Sequence, residues 1–577
     1  MSFTKIIIQG FKSLKNRTEV PIAPLTLMFG PNSAGKTAVV QALEAFAARL
    51  DPELESNKKV MPAILAMVNP NPNSRAHRLA NSIDSDEYSV MPVTLGIEFD
   101  EFPADESRVE QRDDFAMWAC LEIFWRMTGQ ALCFETVQSD FGTQFATKLY
   151  VHGRKLIDIA SGGSIVVDPG VDFLTDLNSE YWDYTGLASD DIPAEWGVFR
   201  INIDHPVLAA SDLGGVIQSL TDFAGAAKSS FIRSAIYLSD TESRVLILRA
   251  PKSNFRLREW SSVRDFPFDM EEKGRAGKPG EQTSVDSVLA EIRLIMPDVD
   301  NFCSAINLLL DNVSFISRRE LVINRVAGTR SALNQEDLTV EVESNDTFTG
   351  QNSVQRYAAW LGMKAAEVNY STRSISLKRE DDLVNDAMAG GLFPGRGYRV
   401  KAEVTEMDVL ELVARHTELN SWKKLNISLY LNDANGRTLD FDEVGSGIRY
   451  VMPVLAALWD AKKSWIEQPE LHLHPAAQCA LGDVFLRAFN RGHFSIVETH
   501  SEHLLLRILR RIRQTHRGKV PDPELRCSPE AVAVLYFEPQ EDGGTKVYPL
   551  RISRGGDFMD RWPSGFFEER EQELFGE

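Results

Sequence analysis

The chain has 577 residues, of which 43% are hydrophobic and 25% charged, and its formal net charge is −21. That length supports several domains and at least one large core, with the composition of an ordinary globular protein. The acidic balance excludes a protein that coats nucleic acid without specificity, since such binding rests on neutralising phosphates; a local basic groove stays open.

The five cysteines (Cys120, Cys133, Cys303, Cys479, Cys527) form no C-x-x-C pair, so neither a disulfide framework nor a zinc site is expected. The longest uncharged apolar run, 450–459, is too short to cross a bilayer, and Met1-Ser2-Phe3-Thr4-Lys5 lacks the apolar core of a secretory signal. A cytoplasmic protein without a membrane partner is the expectation.

The chain opens on an apolar strand at Ile6-Ile7-Ile8, followed by Gly10-Phe11-Lys12-Ser13, a second strand at 18–22 and a third at 24–29. The third runs into Gly30-Pro31-Asn32-Ser33-Ala34-Gly35-Lys36-Thr37, which fits the phosphate-loop pattern G-x-x-x-x-G-K-[ST]. Its glycines let the backbone wrap an anion, so the N–H groups of Gly30, Asn32, Ser33 and Gly35 are candidate phosphate contacts. Lys36 would reach the outer phosphates, and the Thr37 hydroxyl would hold magnesium. Val39, Leu43, Phe46 and Leu50 then recur at helical spacing, and the helix adds its positive end to the site. Strand, glycine loop and helix is the order a nucleotide site requires, so ATP and Mg2+ are the expected cofactors.

Residues 69–85 are polar and read as a loop. Segment 93–99 alternates apolar and polar, 115–125 is apolar and aromatic with a strand-like composition, and 149–159 folds back around His152-Gly153. Together they predict an antiparallel sheet beside the nucleotide site. The acidic stretch 168–195 reads as a solvated loop, because its carboxylates lack metal-ligand spacing. Segments 201–220 and 230–250 mix helix and strand signals and are left unassigned; 271–281 reads as a loop. A helix is expected over 285–296, stopped by Pro297.

The last third is richer in motifs. Strands are expected at 400–404 and 426–431, with a hairpin-type turn at Asn435-Gly436. Asp442-Glu443-Val444-Gly445-Ser446-Gly447-Ile448-Arg449-Tyr450 leads into an apolar helix. Next comes Trp465-Ile466-Glu467-Gln468-Pro469-Glu470-Leu471-His472-Leu473-His474-Pro475, and then a strand at 494–498 that ends in Thr499-His500-Ser501. His472 and His474 stand two apart, but with no third ligand in view they read as part of a turn. Arg507, Arg510, Arg511, Arg513, Arg517 and Lys519 form a basic run on a helix whose buried face is Leu505, Ile508, Leu509 and Ile512. A solvated face and a nucleic-acid or partner contact explain that run equally well.

These motifs, in this order, resemble the ATPases of the structural-maintenance-of-chromosomes, RecF and OLD group, which share the ABC-type head. GPNSAGKT looks like that group's first lobe, VGSGIRYVMPVL its signature, IEQPELHLHPAAQ its Walker B segment and IVETHSEHLLLR its histidine switch. The final fifty or so residues look like the tail of one bacterial subset. The resemblance implies an α/β P-loop NTPase with an ABC/SMC-type head: a central mixed sheet flanked by helices, a β-rich lobe, and a large helical or mixed insertion. It implies that Glu467 orients magnesium, that Ser446 and Gly447 bind the γ-phosphate held by an opposite subunit, and that His500 senses that phosphate. Position 468 usually carries the catalytic glutamate; Gln468 stands there instead, which predicts slow hydrolysis and a long-lived ATP-bound form. Glu470 is the alternative carboxylate.

The expected domains are a first ATPase lobe over 1–70, a β-rich part over 71–200, an insertion over 201–310, a second ATPase lobe over 311–520 and a tail over 521–577. The expected function is an ATPase that dimerises, or forms higher oligomers, through ATP-sandwiched heads. It would be the switch of a phage-defence or genome-maintenance system acting with a separate effector. Only 77 residues follow His500, too few for the Toprim nuclease domain of the OLD nucleases in addition to a helix and tail. The rival reading is a slow or non-hydrolysing scaffold that restrains a partner protein.

Overall fold

The computed structural model describes residues 3–50, 93–103, 115–139, 144–161, 196–209, 211–227, 236–240, 244–253, 256–257, 282–328, 333, 339–343, 352–365, 382–407, 424–460 and 462–563. The expected loops at 69–85, 168–195 and 271–281 lie outside the described residues. The chain divides into two compact units. The first comprises Met1–Val20, Thr37–Leu321 and Gln540–Thr545, and the second Pro21–Lys36, Val322–Pro539 and Lys546–Glu577.

The first unit is built on a ten-stranded sheet. It begins with β1 (Phe3–Gln9) and β2 (Thr18–Pro21); β3 (Leu25–Phe29) belongs to the second unit. The sheet continues with β4 (Val93–Phe99), β5 (Leu132–Ser139), β6 (Gln144–Val151), β7 (Arg154–Ser161), β8 (Trp196–Asn202), β9 (Ile236–Asp240), β10 (Arg244–Ser253) and β11 (Arg256–Leu257). The order is β11-β10-β8-β7-β6-β5-β4-β1-β2, with β9 also on β10, and neighbours from β1 through β8 run antiparallel. The hairpin of β6 and β7 turns at His152-Gly153, both at positive φ, as the sequence predicts. Within 230–250, the described residues form β9 and most of β10.

Two expectations fail in this unit. Segment 115–125 is a helix, α2 (Phe115–Met127), following α1 (Lys36–Arg49). Its aromatic composition suggests a strand, but its buried residues, Ala119, Cys120, Ile123, Phe124 and Met127, recur at helical spacing. After α3 (Pro206–Ala209) and α4 (Asp212–Ala226) comes α5 (Gln282–Glu320), which passes through Pro297 without stopping. The buried stripe of Ile292, Ile295, Val299, Phe302, Ile306, Leu309, Val313 and Ile316 continues across the proline. Eight buried apolar side chains, each worth about 1.5–3 kcal/mol, outweigh the roughly 3 kcal/mol that an interior proline costs.

The second unit carries the parallel sheet. Its remaining strands are β12 (Asn324–Val326), β13 (Thr339–Glu343), β14 (Arg399–Met407), β15 (Lys424–Asn432), β16 (Thr438–Leu439), β17 (Lys463–Glu467), β18 (Phe494–Glu498), β19 (Val532–Pro539) and β20 (Thr545–Leu550). Six strands follow the order β12-β17-β18-β3-β19-β20, and the pairs from β12 to β19 are parallel. Every residue of β3 and β18 is buried, as both faces of a helix-covered parallel sheet require. A four-stranded antiparallel sheet, β13-β15-β14 with β16 on β15, adds the lobe.

Five helices accompany these strands among the described residues: α6 (Ser353–Ala365), α7 (Leu383–Ala387), α8 (Ser446–Asp460), α9 (Pro475–Asn490) and α10 (Glu502–His516). Tyr357 and Trp360 of α6 pack on Trp459 of α8, each with ring centroids 5.1 Å from it. Trp562, near the C-terminus, meets Phe29 edge-on at 5.6 Å, so the tail packs on the strand that feeds the phosphate loop. The chain is an α/β P-loop NTPase with a helix-flanked parallel sheet and antiparallel β-structure. Among the described residues no helix is long and apolar enough to cross a membrane.

Candidate functional site

Parallel strands put their carboxyl ends on one edge, and ligands of open α/β sheets bind there. β3, β17 and β18 end at Phe29, Glu467 and Glu498, so the phosphate loop, the Glu467–Glu470 turn and the Thr499–Ser501 turn all leave that edge. The loop's geometry depends on glycine at its first position. Gly30 has φ +140°, and a Cβ there would collide with the Phe537 carbonyl oxygen of β19. Ser33 and Gly35 are also at positive φ, 66° and 87°, while Asn32 and Ser33 are exposed.

Lys36 is only 2% exposed. Its Nζ donates to the carbonyls of Gly30 (2.9 Å) and Pro31 (2.8 Å) and lies 3.6 Å from Glu498 Oε1. Burial lowers its pKa, and the Glu498 carboxylate works against that shift. Thr37 follows it in the first turn of α1.

Glu467 and Glu498 are register partners on β17 and β18. Side chains in parallel register point to the same face of a sheet. Their counter-charges differ. Glu467 Oε1 accepts from Arg325 of β12 at 2.8 and 3.0 Å, and its Oε2 accepts from the Gly328 N–H at 2.9 Å. Glu498 faces Lys36.

Gln468 sits at φ 46°, a region that non-glycine residues enter at a cost, and its N–H donates to the Glu498 carbonyl at 2.6 Å. Glu470 Oε2 accepts from Thr499 Oγ1 and its Oε1 from the His500 N–H, both at 2.8 Å. Thr499 in turn donates its N–H to the Met28 carbonyl at 3.1 Å. The segment that presents His500 is thereby pinned on two sides. The imidazole is on an exposed residue, and its pKa is lowered by its packed surroundings first and by the charge of Lys36 second.

Ser446 and Gly447 open α8, with Ser446 exposed. A Cβ on Gly447 would stand 2.8 Å from the His472 carbonyl oxygen, and the Tyr450 ring stacks on His472 at 4.3 Å. His474 caps α9, its Nδ1 accepting from the Ala476 N–H at 3.3 Å. Both histidines therefore have structural partners on the flanking helices α8 and α9, and no group of three metal-ligating side chains occurs among the described residues.

Magnesium on a nucleotide keeps its waters and takes one or two hard oxygens from the protein, so no dedicated cage is needed. The Thr37 hydroxyl and the Glu467 carboxylate are donors of that kind. Both Glu467 oxygens accept hydrogen bonds here, so its contact would run through a water or follow release of Arg325. The sequence points to Lys36, Glu467, Gln468 and His500 but misses Glu498 and Arg325. No spacing rule marks a strand-ending glutamate; pairing the two parallel strands in register does.

Residues 1–128 match the family model described as "AAA ATPase domain", and residues 328–507 match "AAA domain, putative AbiEii toxin, Type IV TA system". The chain thus carries an AAA-type ATPase domain split into two segments. Residues 527–575 of this split ATPase match "Protein of unknown function (DUF3696)". No curated protein matches it. Among solved structures it is similar to the Smc head domain of Pyrococcus furiosus bound to the C-terminal domain of ScpA, at 10% identity and TM-score 0.32, over 95% of this chain and 96% of that one. It is also similar to the SMC head domain from Thermotoga maritima, at 8% identity and TM-score 0.29, over 96% and 100% of the two chains. Scores this low add no weight to the sheet order described above.

Proposed function

We propose that the protein is an ATP-driven switch that pairs its heads around bound ATP and acts on a separate effector in a defence or genome-maintenance setting. The observation that carries the ATP-switch part is the meeting, on one sheet edge, of Lys36 with Glu498 and of Glu470 with the His500 segment. Lys36, Gly30, Asn32, Ser33 and Gly35 hold the phosphates. Thr37 and Glu467 hold magnesium, which neutralises phosphate charge. His500 reads the γ-phosphate. Ser446 and Gly447 complete the partner's site. The AbiEii toxin description of the second matching family supports the defence setting.

Lys36→Ala tests the site. The variant deletes the charge that faces the β- and γ-phosphates, and calorimetry is expected to show ATP affinity reduced at least ~100-fold, with the circular dichroism spectrum retained. Unchanged affinity would overturn the assignment. Gln468 favours a second reading, a scaffold that holds ATP with little turnover, since an amide is a very poor base. Single-turnover hydrolysis of radiolabelled ATP separates the two.

A further inference from the structure

Three carboxylates stand at the carboxyl ends of β17 and β18 and in the turn between β17 and α9, and the structure gives each a different partner. Glu467 is bound by Arg325 and the Gly328 N–H. Glu470 spends both oxygens on Thr499 and the His500 N–H. Glu498, 8% exposed, is set against the ammonium of Lys36 at 3.6 Å. Lys36 is the side chain that a phosphate loop aims at the outer phosphates, so a carboxylate in contact with it lies at the phosphate end of the site.

We propose that Glu498 is the catalytic carboxylate of this ATPase, doing from β18 what the amide of Gln468 cannot do from the turn after β17. The inference rests on the ATPase reading above. Two further observations support it. The Gln468 N–H is bonded to the Glu498 carbonyl at 2.6 Å, so the two positions are neighbours on the same sheet edge. The Gln468 amide oxygen also lies beside Gly328, on the β12 side where Glu467 sits.

The step balances without any added reagent. A water oxygen forms a bond to the γ-phosphorus while the bond from that phosphorus to the β,γ-bridging oxygen breaks. The electron pair leaves on the β-phosphate of ADP. The water's proton passes to Glu498 and then, with inorganic phosphate, to solvent. Lys36 serves both partners: it stabilises charge on the phosphates and holds the carboxylate against them. Without a function, a carboxylate buried at the phosphate end would only repel the nucleotide.

Glu498→Gln tests this in the full-length protein with Mg–ATP. Single-turnover hydrolysis is expected to fall ~100-fold or more, the scale of a lost general base. ATP binding, followed by calorimetry, is expected to hold or tighten, because a like charge has been removed. Glu498→Asp keeps the charge beside Lys36 but withdraws the oxygens, and is expected to lose turnover in the same direction. The double variant Glu498→Gln, Gln468→Glu returns a carboxylate to the neighbouring position and is expected to recover at least ~10-fold of the loss.

Turnover in Glu498→Gln within twofold of the unaltered protein overturns the proposal and leaves Glu498 as a counter-ion of Lys36. Loss of ATP binding in both Glu498 variants also overturns it, making the residue part of the loop's scaffold. An unaltered protein that binds ATP through Lys36 but never hydrolyses it sinks the ATPase reading itself. Activity in the unaltered protein that survives in the variants sinks only the role of Glu498.

Discussion

At the scale of single residues, Glu470 shows how a carboxylate near a phosphate site can be committed elsewhere. Sequence alone makes it a rival base to position 468, because it stands two residues further on. Its oxygens accept from Thr499 Oγ1 and the His500 N–H, and Thr499 is fully buried. Glu470 therefore holds the backbone that presents His500. Glu470→Ala leaves a buried hydroxyl and an N–H without their acceptor, at a cost of about 1–3 kcal/mol. Turnover is expected to fall with the loss of an ordered His500, and hydrogen exchange at 499–501 is expected to quicken. Glu470→Gln retains one amide oxygen as acceptor and is expected to lie between. A Glu470→Ala variant with normal turnover and unchanged protection would remove this role.

At the scale of elements, the sequence is most legible where one physical demand dominates. The phosphate loop is one such place, since few residues other than glycine tolerate the backbone of Gly30 under Phe537. β3 and β18 are another, buried along their whole length and mostly apolar because both faces are covered. Legibility fails where two signals compete. In α2 aromatic composition argues against helical spacing, and in α5 a proline argues against an apolar stripe; in both, the pattern of burial prevails. The basic run on α10 is a third such case. Spacing places Arg507 and Arg511 on a free face, yet Arg511 is 8% exposed because Asp483 of α9 accepts from both guanidiniums, at 2.6 to 2.8 Å. Arg513 is likewise tied to Asp557 and to the Gly555 carbonyl, while Arg510 and Arg517 stay exposed. Asp483→Ala is therefore expected to destabilise the α9–α10 pair by on the order of 2–4 kcal/mol, because it strands one buried and one half-buried cation. Arg510→Ala is expected to change stability by less than ~0.5 kcal/mol. Denaturant melts of the two variants check the contrast, and equal effects would contradict the pairing.

At the scale of the whole molecule, the phosphate loop and the VGSG segment each occur once per chain, and the proposed switch needs one of each from two chains. Ser446 is exposed at the start of a fifteen-residue helix, where free N–H groups and the helix dipole favour an anion. Tyr450, one turn along, stacks on His472, so α8 is fastened to the turn that carries Glu467, Gln468 and Glu470. An anion held at Ser446 could thus bear on that turn through a short, packed route. Ser446→Arg separates this shared-site role from a capping role. An arginine at an exposed helix start costs the fold only ~0.3–1 kcal/mol through the dipole. Placed between two heads, the same side chain obstructs the γ-phosphate of the partner, and a loss of about 3 kcal/mol there is roughly a 100-fold loss of association. Sedimentation velocity with ATP is expected to show the unaltered protein as dimers or larger assemblies and Ser446→Arg as monomers. Calorimetry is expected to show that each variant monomer still binds ATP through Lys36. If the two proteins sediment alike with and without ATP, Ser446 takes no part in a shared site and the paired-head switch fails with it.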